Sequence, residues 1–179
     1  MAFSRMPAAT ARQTRLNLSD EDHMRYWLMK SEPGECSIDD VLASPERTTP
    51  WEGVRNYQAR NFMRDQMQVG DGVLFYHSNC TPPGIVGLAR VSKRAYPDAS
   101  QFDPQSHYFD PKATPEKPRW FNVDVQALQK TRLVSISELR QQPPLAHMRV
   151  LQTGSRLSIT PVDPAEWHYI CTQLLHLPA

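Results

Sequence analysis

The 179-residue chain carries 20 Lys and Arg residues against 19 Asp and Glu, which leaves a net charge of +1 at pH 7. So balanced a charge excludes a protein that coats nucleic acid by bulk electrostatics, although it is compatible with a local basic groove. The 40% of hydrophobic residues suffices for a core, excludes wholesale disorder and, at this length, predicts a single domain. The 16 prolines outnumber the 7 glycines, which predicts rigid loops rather than long helical bundles.

The start of the chain differs in composition from the rest. Residues 1–19 contain three arginines and no acidic residue, a composition that faintly resembles a transit peptide. We favour a disordered or mis-started extension over residues 1–23, because Met24 directly precedes the first strand-like run. The single domain is then predicted at residues 24–177.

The three cysteines, Cys36, Cys80 and Cys171, are isolated and form neither a zinc motif nor a disulfide framework. This cysteine usage predicts that the protein resides in a reducing compartment. We expect the cytoplasm, including the nucleoid of a bacterium, or the nucleus if the protein is eukaryotic. The longest apolar runs, at 73–76 and 85–89, are only as long as a strand, so we expect no membrane span.

The predicted elements begin with a short buried strand at residues 26–30, which ends at the turn 31–34. A capping serine and early acidic residues predict a short helix at 37–42. Residues 56–64 lack Gly, Pro and β-branched side chains, so they predict a second helix that Asn56 would cap. The residues of this helix expected to face the core are Ala59, Phe62 and Met63.

Two more strands are predicted at residues 73–77 and 85–91. Residues 97–118 contain five prolines and predict a long rigid loop, since strand signals resume after it. Alternating apolar and polar residues predict a strand at 120–127. The last predicted elements are a short strand at 156–159 and a helix at 163–175 opened by a capping box. Short strands interleaved with short helices indicate a mixed α+β fold, a small barrel decorated by helices.

Common functional motifs are absent: the chain contains no GxGxxG after a strand, no GxxxxGK[ST], no HExxH, no GxSxG and no DxDxDG. Asp103, His107 and Asp110 carry groups that can ligate a metal. Asp before Pro commonly initiates a turn, and we favour that interpretation here. Function is therefore sought in polar segments at strand ends, where a rigid scaffold commonly holds binding residues.

The first two polar segments combine basic, aromatic and amide groups. Lys30 and Ser31 end the first strand and carry groups that can contact a phosphate and a base edge. Trp51, Asn56 and Tyr57 follow in the second segment, where aromatic rings can stack on a base and an amide can hydrogen-bond its edge. A solvated turn and a core tryptophan are the structural alternatives.

The third polar segment, His77, Ser78 and Asn79, follows an apolar strand and precedes Cys80. Cysteine and histidine together form a catalytic arrangement in some enzymes. We disfavour such a pair here, because the two residues are only three positions apart and no third orienting group is evident.

Five segments follow one another in an order that resembles the EVE domain family. They are YWLMKSEP at 26–33, WEGVRNYQAR at 51–60, GDGVLFYHSN at 70–79, PPGIVG at 82–87 and RLSITPV at 156–162. The resemblance covers nearly the whole predicted domain. It implies a PUA-like β-barrel of five to six strands with short peripheral helices, related to the YTH readers of methylated adenine. It also implies non-catalytic recognition of modified bases in DNA or RNA.

The resemblance further implies a set of contact residues. The implied pocket for the modified base consists of Lys30, Ser31, Trp51, Asn56, Tyr57, His77, Ser78, Asn79 and Arg156. The arginines expected to contact flanking phosphates, from their spacing alone, are Arg55, Arg60 and Arg64. Such binding should weaken as the salt concentration rises.

Two other functions stay open at this point. One is an enzyme that acts on a nucleotide-like small molecule with His77 as the general base near Cys80. The other is a protein-interaction barrel in which Trp51 anchors a partner. For the leading interpretation, we expect a monomer that binds DNA or RNA carrying modified bases and needs no metal, cofactor or membrane.

Overall fold

The computed structural model of the chain describes residues 24–178, so the extension predicted at 1–23 lies outside the described residues. The fold of these described residues is built on six strands. Their bounds are Tyr26–Ser31 (β1), Thr48–Pro50 (β2), Gly72–His77 (β3), Gly84–Pro97 (β4), Phe121–Ser135 (β5) and Ile159–Val162 (β6). They form one sheet in the order β2-β5-β4-β3-β1-β6.

The sheet is open, because its backbone ladder ends at β2 on one side and at β6 on the other. Both end strands are short and contain a proline, Pro50 and Pro161, which offers no N–H for a further strand. Strand β1 pairs in parallel with β3, whereas the other pairings are antiparallel. The mixed α+β fold with six strands is confirmed, and the predicted barrel takes the form of a sheet that is not closed.

Within residues 24–178, four short α-helices accompany the sheet. They are Ile38–Ala43 (α1), Tyr57–Asn61 (α2), Ile136–Arg140 (α3) and Pro164–Tyr169 (α4). The predicted N-caps of α1 and α2 are confirmed, since the Ser37 hydroxyl accepts the N–H of Asp40 and Asn56 Oδ1 accepts the N–H of Ala59, at 3.1 and 3.0 Å. Helices α2 and α4 each continue into a wider π-helical turn. No helix within residues 24–178 is long and apolar enough to cross a membrane.

One predicted element is misplaced and two elements of the structure were not predicted. The strand predicted at 156–159 is wrong in position, because β6 is Ile159–Val162 and pairs with β1 through Met29 and Ile159. Strand β2 and helix α3 have no counterpart among the predicted elements. Strand β2 depends on its pairing with β5, which lies far along the chain, and a local pattern does not report such a contact. Helix α3 directly follows β5 and does carry a local signal, because the Ser135 hydroxyl accepts the N–H of Glu138 at 3.1 Å as its N-cap.

Apolar residues pack on both faces of the sheet. Trp27 and Phe75 belong to the core on the face of α1 and α2, while Leu28 and Leu74 belong to the core on the face of α3 and α4. Alternate residues of a strand point to opposite faces, so two buried faces require the near-continuous apolar runs seen in β1 and β3. The predicted core residues of the second helix are confirmed as buried, namely Ala59, Phe62 and Met63.

A buried carboxylate joins the start of β1 to the turn before β3. Asp71 is only 2% exposed, and its Oδ2 accepts hydrogen bonds from the indole Nε1 of Trp27 at 2.9 Å and the backbone N–H of Gln68 at 3.0 Å. Its Oδ1 accepts the backbone N–H of Arg25 at 3.2 Å. Three donors therefore depend on one side chain.

We expect Asp71→Ala to lower the free energy of unfolding by about 2–4 kcal/mol, because it leaves a buried indole N–H and two backbone N–H groups without an acceptor. Urea denaturation measures the change. The matched control is Asp65→Ala, which removes an exposed carboxylate paired with Arg64 and should lower the free energy of unfolding far less, because solvent screens such a pair. Equal losses in the two variants would contradict the role assigned to Asp71.

Candidate functional site

A cavity of about 690 Å³ lies where β1 and β3 end. Because these strands are parallel, their ends lie at the same edge of the sheet, with Ser31 paired to His77. The N–H of Ser78 donates to the carbonyl of Ser31 at 3.0 Å, so the first and third polar segments are adjacent. The predicted site residues that line the cavity are Lys30, Ser31, Trp51, Arg55, Ser78 and Arg156.

Lys30 supplies a partly buried positive charge at the cavity. Its ammonium lies 5.7 Å from the ring centroid of Tyr76, and burial lowers the pKa of Lys30 below its ordinary value. The carboxylates of Glu35 and Glu52 also line the cavity. Burial, followed by the charge of Asp98, raises the pKa of Glu52. The lining therefore offers both a cation and hydrogen-bond acceptors.

Trp51 is a fixed wall of the cavity. It is 7% exposed, its N–H donates to the carbonyl of Val123 at 2.8 Å, and its ring meets that of Phe75 edge to face at 5.3 Å. The two interpretations of this tryptophan are therefore compatible, because one ring belongs both to the core and to the cavity lining. Its packing against Phe75 holds the ring in one orientation.

Tyr108 is a second aromatic wall that the sequence interpretation missed. It comes from the proline-rich loop, and its ring packs on Gly53, where a Cβ atom would come within 2.7 Å of the ring. Gly53 has a φ of +82°, a conformation that also favours glycine. The Tyr108 hydroxyl donates to Glu35 Oε2 at 3.3 Å across the cavity. No local pattern marks this tyrosine, because only the tertiary fold brings it to Gly53.

Arg55 and Asp98 fasten the proline-rich loop to the segment after β2. All five N–H groups of the Arg55 guanidinium donate to protein acceptors. The acceptors include the Tyr108 carbonyl at 2.6 Å and Asp98 Oδ2 at 3.0 Å. Asp98 is fully buried and also accepts the N–H of Gly53 at 2.8 Å. Arg55 is therefore committed to holding the cavity walls, so a phosphate contact would have to replace one of these hydrogen bonds.

The other predicted phosphate contacts lie on helix α2 and the turn after it, outside the cavity lining. Arg60 donates to Asn61 Oδ1 and to the carbonyl of Arg119, and Arg64 pairs with Asp65 at 2.7 Å.

Four predicted pocket residues also lie outside the cavity lining: Asn56, Tyr57, His77 and Asn79. Asn56 caps α2, and Tyr57 stacks on Trp120 with 47% of its side chain exposed.

His77 also has a structural role. Its Nε2 accepts the N–H of Ile38 at the start of α1 at 3.1 Å, and burial lowers the pKa of His77. Its Nε2 lone pair is thus occupied by a backbone donor. The Cys80 thiol donates to the carbonyl of Pro82 at 3.7 Å.

The proline-rich loop uses Asp110 as a structural acceptor. Its carboxylate accepts the indole N–H of Trp120 at 2.7 Å and pairs with Arg119 at 3.1 Å. The Trp120 hydrogen bond, followed by that from the Lys112 N–H, lowers the pKa of Asp110. Over residues 24–178, His, Cys, Asp and Glu side chains do not gather into a group of three that could hold a metal ion.

Comparison with known proteins places this arrangement in a family. The family model described as "EVE domain" matches residues 25–173. The chain belongs to the EVE domain family. This EVE domain is 42% identical to human "Thymocyte nuclear protein 1" over 163 residues, which are 81% of this chain and 72% of the human protein.

Solved structures resemble this EVE domain closely. A hypothetical protein from Leishmania major superposes with a TM-score of 0.79 at 47% identity, covering 85% of this chain and 95% of that one. The human THYN1 protein, solved in complex with DNA that contains 5-methylcytosine, superposes with a TM-score of 0.79 at 40% identity, covering 87% and 99% of the two chains.

Asp98 should make the stability of the EVE domain depend on pH. Burial acts to raise the pKa of its carboxyl, but hydrogen bonds from Ser100, Gly53 and Arg55 outweigh burial and lower the pKa below its ordinary value. The stability that the carboxylate contributes is therefore present above its unfolded-state pKa of about 3.9 and is lost as the pH falls through the folded-state pKa.

We expect Asp98→Asn to lower the free energy of unfolding by about 2–3 kcal/mol at neutral pH, because Arg55 loses its charged partner. The difference from the unsubstituted protein should shrink as the pH falls below about 4. Urea denaturation at a series of pH values measures both effects. Asp103→Asn, in an exposed position of the same loop, is the matched control. A deficit that stays constant down to the lowest pH would count against this role of Asp98.

Proposed function

We propose that the protein binds a modified base of a DNA strand in the cavity between Trp51 and Tyr108 without altering it chemically. The observation that carries this proposal is the pair of aromatic walls beside the cation of Lys30. A related protein, human THYN1, has been solved in complex with DNA containing 5-methylcytosine. We therefore take 5-methylcytosine in DNA as the first ligand to test.

The size of the cavity suits this ligand. Ligand sites commonly have volumes of roughly 300–1,000 Å³, and the cavity of about 690 Å³ lies within that range. Extruding a base from a duplex costs a few kcal/mol. A base stacked on an aromatic side chain regains about 1–3 kcal/mol, so Trp51 and Tyr108 offset a large part of that cost.

The polar lining favours a base that carries an amino group. Cytosine presents an N4 amino donor, for which glutamate is a suitable acceptor. Glu35 and Glu52 line the cavity and can supply such an acceptor. The hydroxyls of Ser31 and Ser78 add smaller polar contacts, and Lys30 and Arg156 balance the negative charge of the strand.

Binding is supported over catalysis by the position of His77. An enzyme of the kind considered above would need this imidazole as a general base, but its Nε2 accepts a backbone N–H at the start of α1. His77 also lies outside the residues that line the cavity. We therefore propose a structural role for His77.

DNA binding also implies a location. We propose that the protein resides with the DNA, in the nucleoid of a bacterium or in the nucleus of a eukaryote.

The decisive measurement is binding to an oligonucleotide with one 5-methylcytosine, compared with the same oligonucleotide carrying cytosine. We expect Trp51→Leu to weaken binding of the methylated strand by at least about ten-fold, because the stacking surface is lost while the core position stays apolar. Fluorescence anisotropy gives the affinity, and thermal unfolding verifies that the variant is folded.

Trp167→Leu is the matched control, since Trp167 stacks on Tyr26 at 4.5 Å and is not part of the cavity lining. A folded Trp51→Leu variant that binds the methylated strand as tightly as the unsubstituted protein would rule out the proposed site. Equal affinity for RNA would broaden the ligand class.

The non-catalytic role has its own test. We expect the protein to return the methylated oligonucleotide with unchanged mass after long incubation, and His77→Gln to leave its affinity unchanged. Mass spectrometry of the strand and its digested nucleosides detects any product. A product that forms with the unsubstituted protein and disappears with His77→Gln would establish the enzyme alternative instead.

A further inference from the structure

A second aromatic surface lies outside the cavity, beside helix α2. Tyr57 is 47% exposed and stacks on the buried ring of Trp120, with centroids 4.9 Å apart and planes 22° apart. The guanidinium carbon of Arg60 lies 4.7 Å from the centroid of Tyr57 and 5.8 Å from that of Trp120. The guanidinium carbon of Arg119 also lies near this ring, 5.9 Å from the centroid of Tyr57. With Trp120 stacked against it and two cations beside it, nearly half of Tyr57 remains exposed.

The charge of this surface, which we call the Tyr57 platform (Tyr57, Arg60, Arg119 and Trp120), is positive. Arg119 pairs with Asp110 at 3.1 Å and also donates to the Tyr57 hydroxyl. Arg60 donates to neutral acceptors, the Asn61 amide oxygen and the carbonyl of Arg119 at 2.7 Å. None of these acceptors is a carboxylate, so the positive charge of Arg60 can act on an anion placed against the platform.

The Tyr57 platform is connected to the cavity by a continuous stack. The guanidinium carbon of Arg55 lies 5.3 Å from the centroid of Trp120 and 5.4 Å from that of Tyr108, which lines the cavity. Spacings of 4.9, 5.3 and 5.4 Å thus lead from Tyr57 to the cavity wall. That path corresponds to roughly five base steps of a stacked strand at about 3.4 Å each, and fewer in an extended one.

We propose that the Tyr57 platform is a second binding site, which stacks a base of the same nucleic-acid strand that places its modified base in the cavity. Arg60 contacts the phosphate beside that base. This inference rests on the proposed function, and it adds that the protein recognises a strand rather than an isolated nucleotide. Stacking on a tyrosine tolerates any base, because every base has a π-face, so the platform adds affinity without reading sequence.

The test compares ligands of two lengths on the same variants. One is 5-methyl-2′-deoxycytidine 5′-monophosphate, whose single base can occupy the cavity but cannot reach the platform at the same time. The other is a single strand of about eleven nucleotides with a central 5-methylcytosine, which gives about five base steps on each side and lies within the ~4–16 nucleotides of known single-strand sites. We expect Tyr57→Ala to weaken binding of the strand by about ten-fold and to leave the mononucleotide unaffected.

Two comparison variants separate stacking from other effects. Tyr57→Phe keeps the ring and loses the hydroxyl, so it should bind the strand as the unsubstituted protein does. Leu128→Ala removes an exposed apolar side chain elsewhere, since Leu128 is 46% exposed on β5 and outside both sites, and should change neither affinity. Trp51→Leu should weaken binding of the strand and binding of the mononucleotide alike.

Arg60 is tested through salt dependence. Arg60→Gln should reduce the slope of log affinity for the strand against log salt by about one, because one phosphate contact is lost. Arg90→Gln is the control, as Arg90 is exposed and bonds Gln126 on the neighbouring strand at 2.8 Å. An unchanged slope for Arg60→Gln would overturn the phosphate contact.

The outcomes distinguish this inference from the proposed function. Wild-type affinity of Tyr57→Ala for the strand, or an equal loss for the mononucleotide, would overturn the second site. Equal binding of methylated and unmethylated strands would overturn the proposed function. The effect of Tyr57→Ala on binding of the unmethylated strand would still show whether the platform is a second binding site. Failure of the unsubstituted protein to bind any strand would overturn both.

Discussion

The hydrogen bonds of one buried carboxylate hold the two sides of the cavity together. Asp98 accepts from Gly53 on the segment after β2, from Arg55 and from Ser100 on its own loop. A buried carboxylate is stable only when its acceptor positions are filled, and here both oxygens are used. Backbone hydrogen bonds within the proline-rich loop, such as that from the N–H of Asp110 to the carbonyl of Gln101 at 3.0 Å, shape the loop but do not join it to the segment after β2. Its attachment through Asp98 and Arg55 is what turns a surface loop into a cavity wall.

Features that depend on neighbouring residues could be predicted from the sequence. The caps at Ser37 and Asn56 act within three residues, and their structures match the prediction. The apolar runs of β1 and β3 were recognisable because both faces of the sheet are buried. The resemblance to the EVE family grouped Ser31 and Ser78 in one pocket, and the parallel pairing of β1 with β3 brings these two residues together.

Features that depend on distant contacts could not be predicted from local patterns. Tyr108 faces the cavity because its loop is bonded to Arg55, which lies far away in the chain. Tyr57 was assigned to the pocket as an aromatic residue of the same segment as Trp51 and by the family resemblance, yet helix α2 begins between them and carries the tyrosine outward to Trp120. Sequence proximity thus grouped two aromatic residues that the fold separates. The open sheet likewise depends on which strands find partners, a property of the whole chain.

The shape of the cavity depends on glycine at position 53, because glycine has no Cβ atom. Both its positive φ and the ring of Tyr108 leave no room for a Cβ atom. Replacement by any other residue would displace Tyr108 and, with it, the carbonyl that Arg55 holds. Substitution of Gly53 therefore cannot adjust the width of the cavity gradually. Selectivity among ligands of different size has to change through residues whose side chains end in the cavity, such as Ser31 and Ser78, where atoms can be added one at a time.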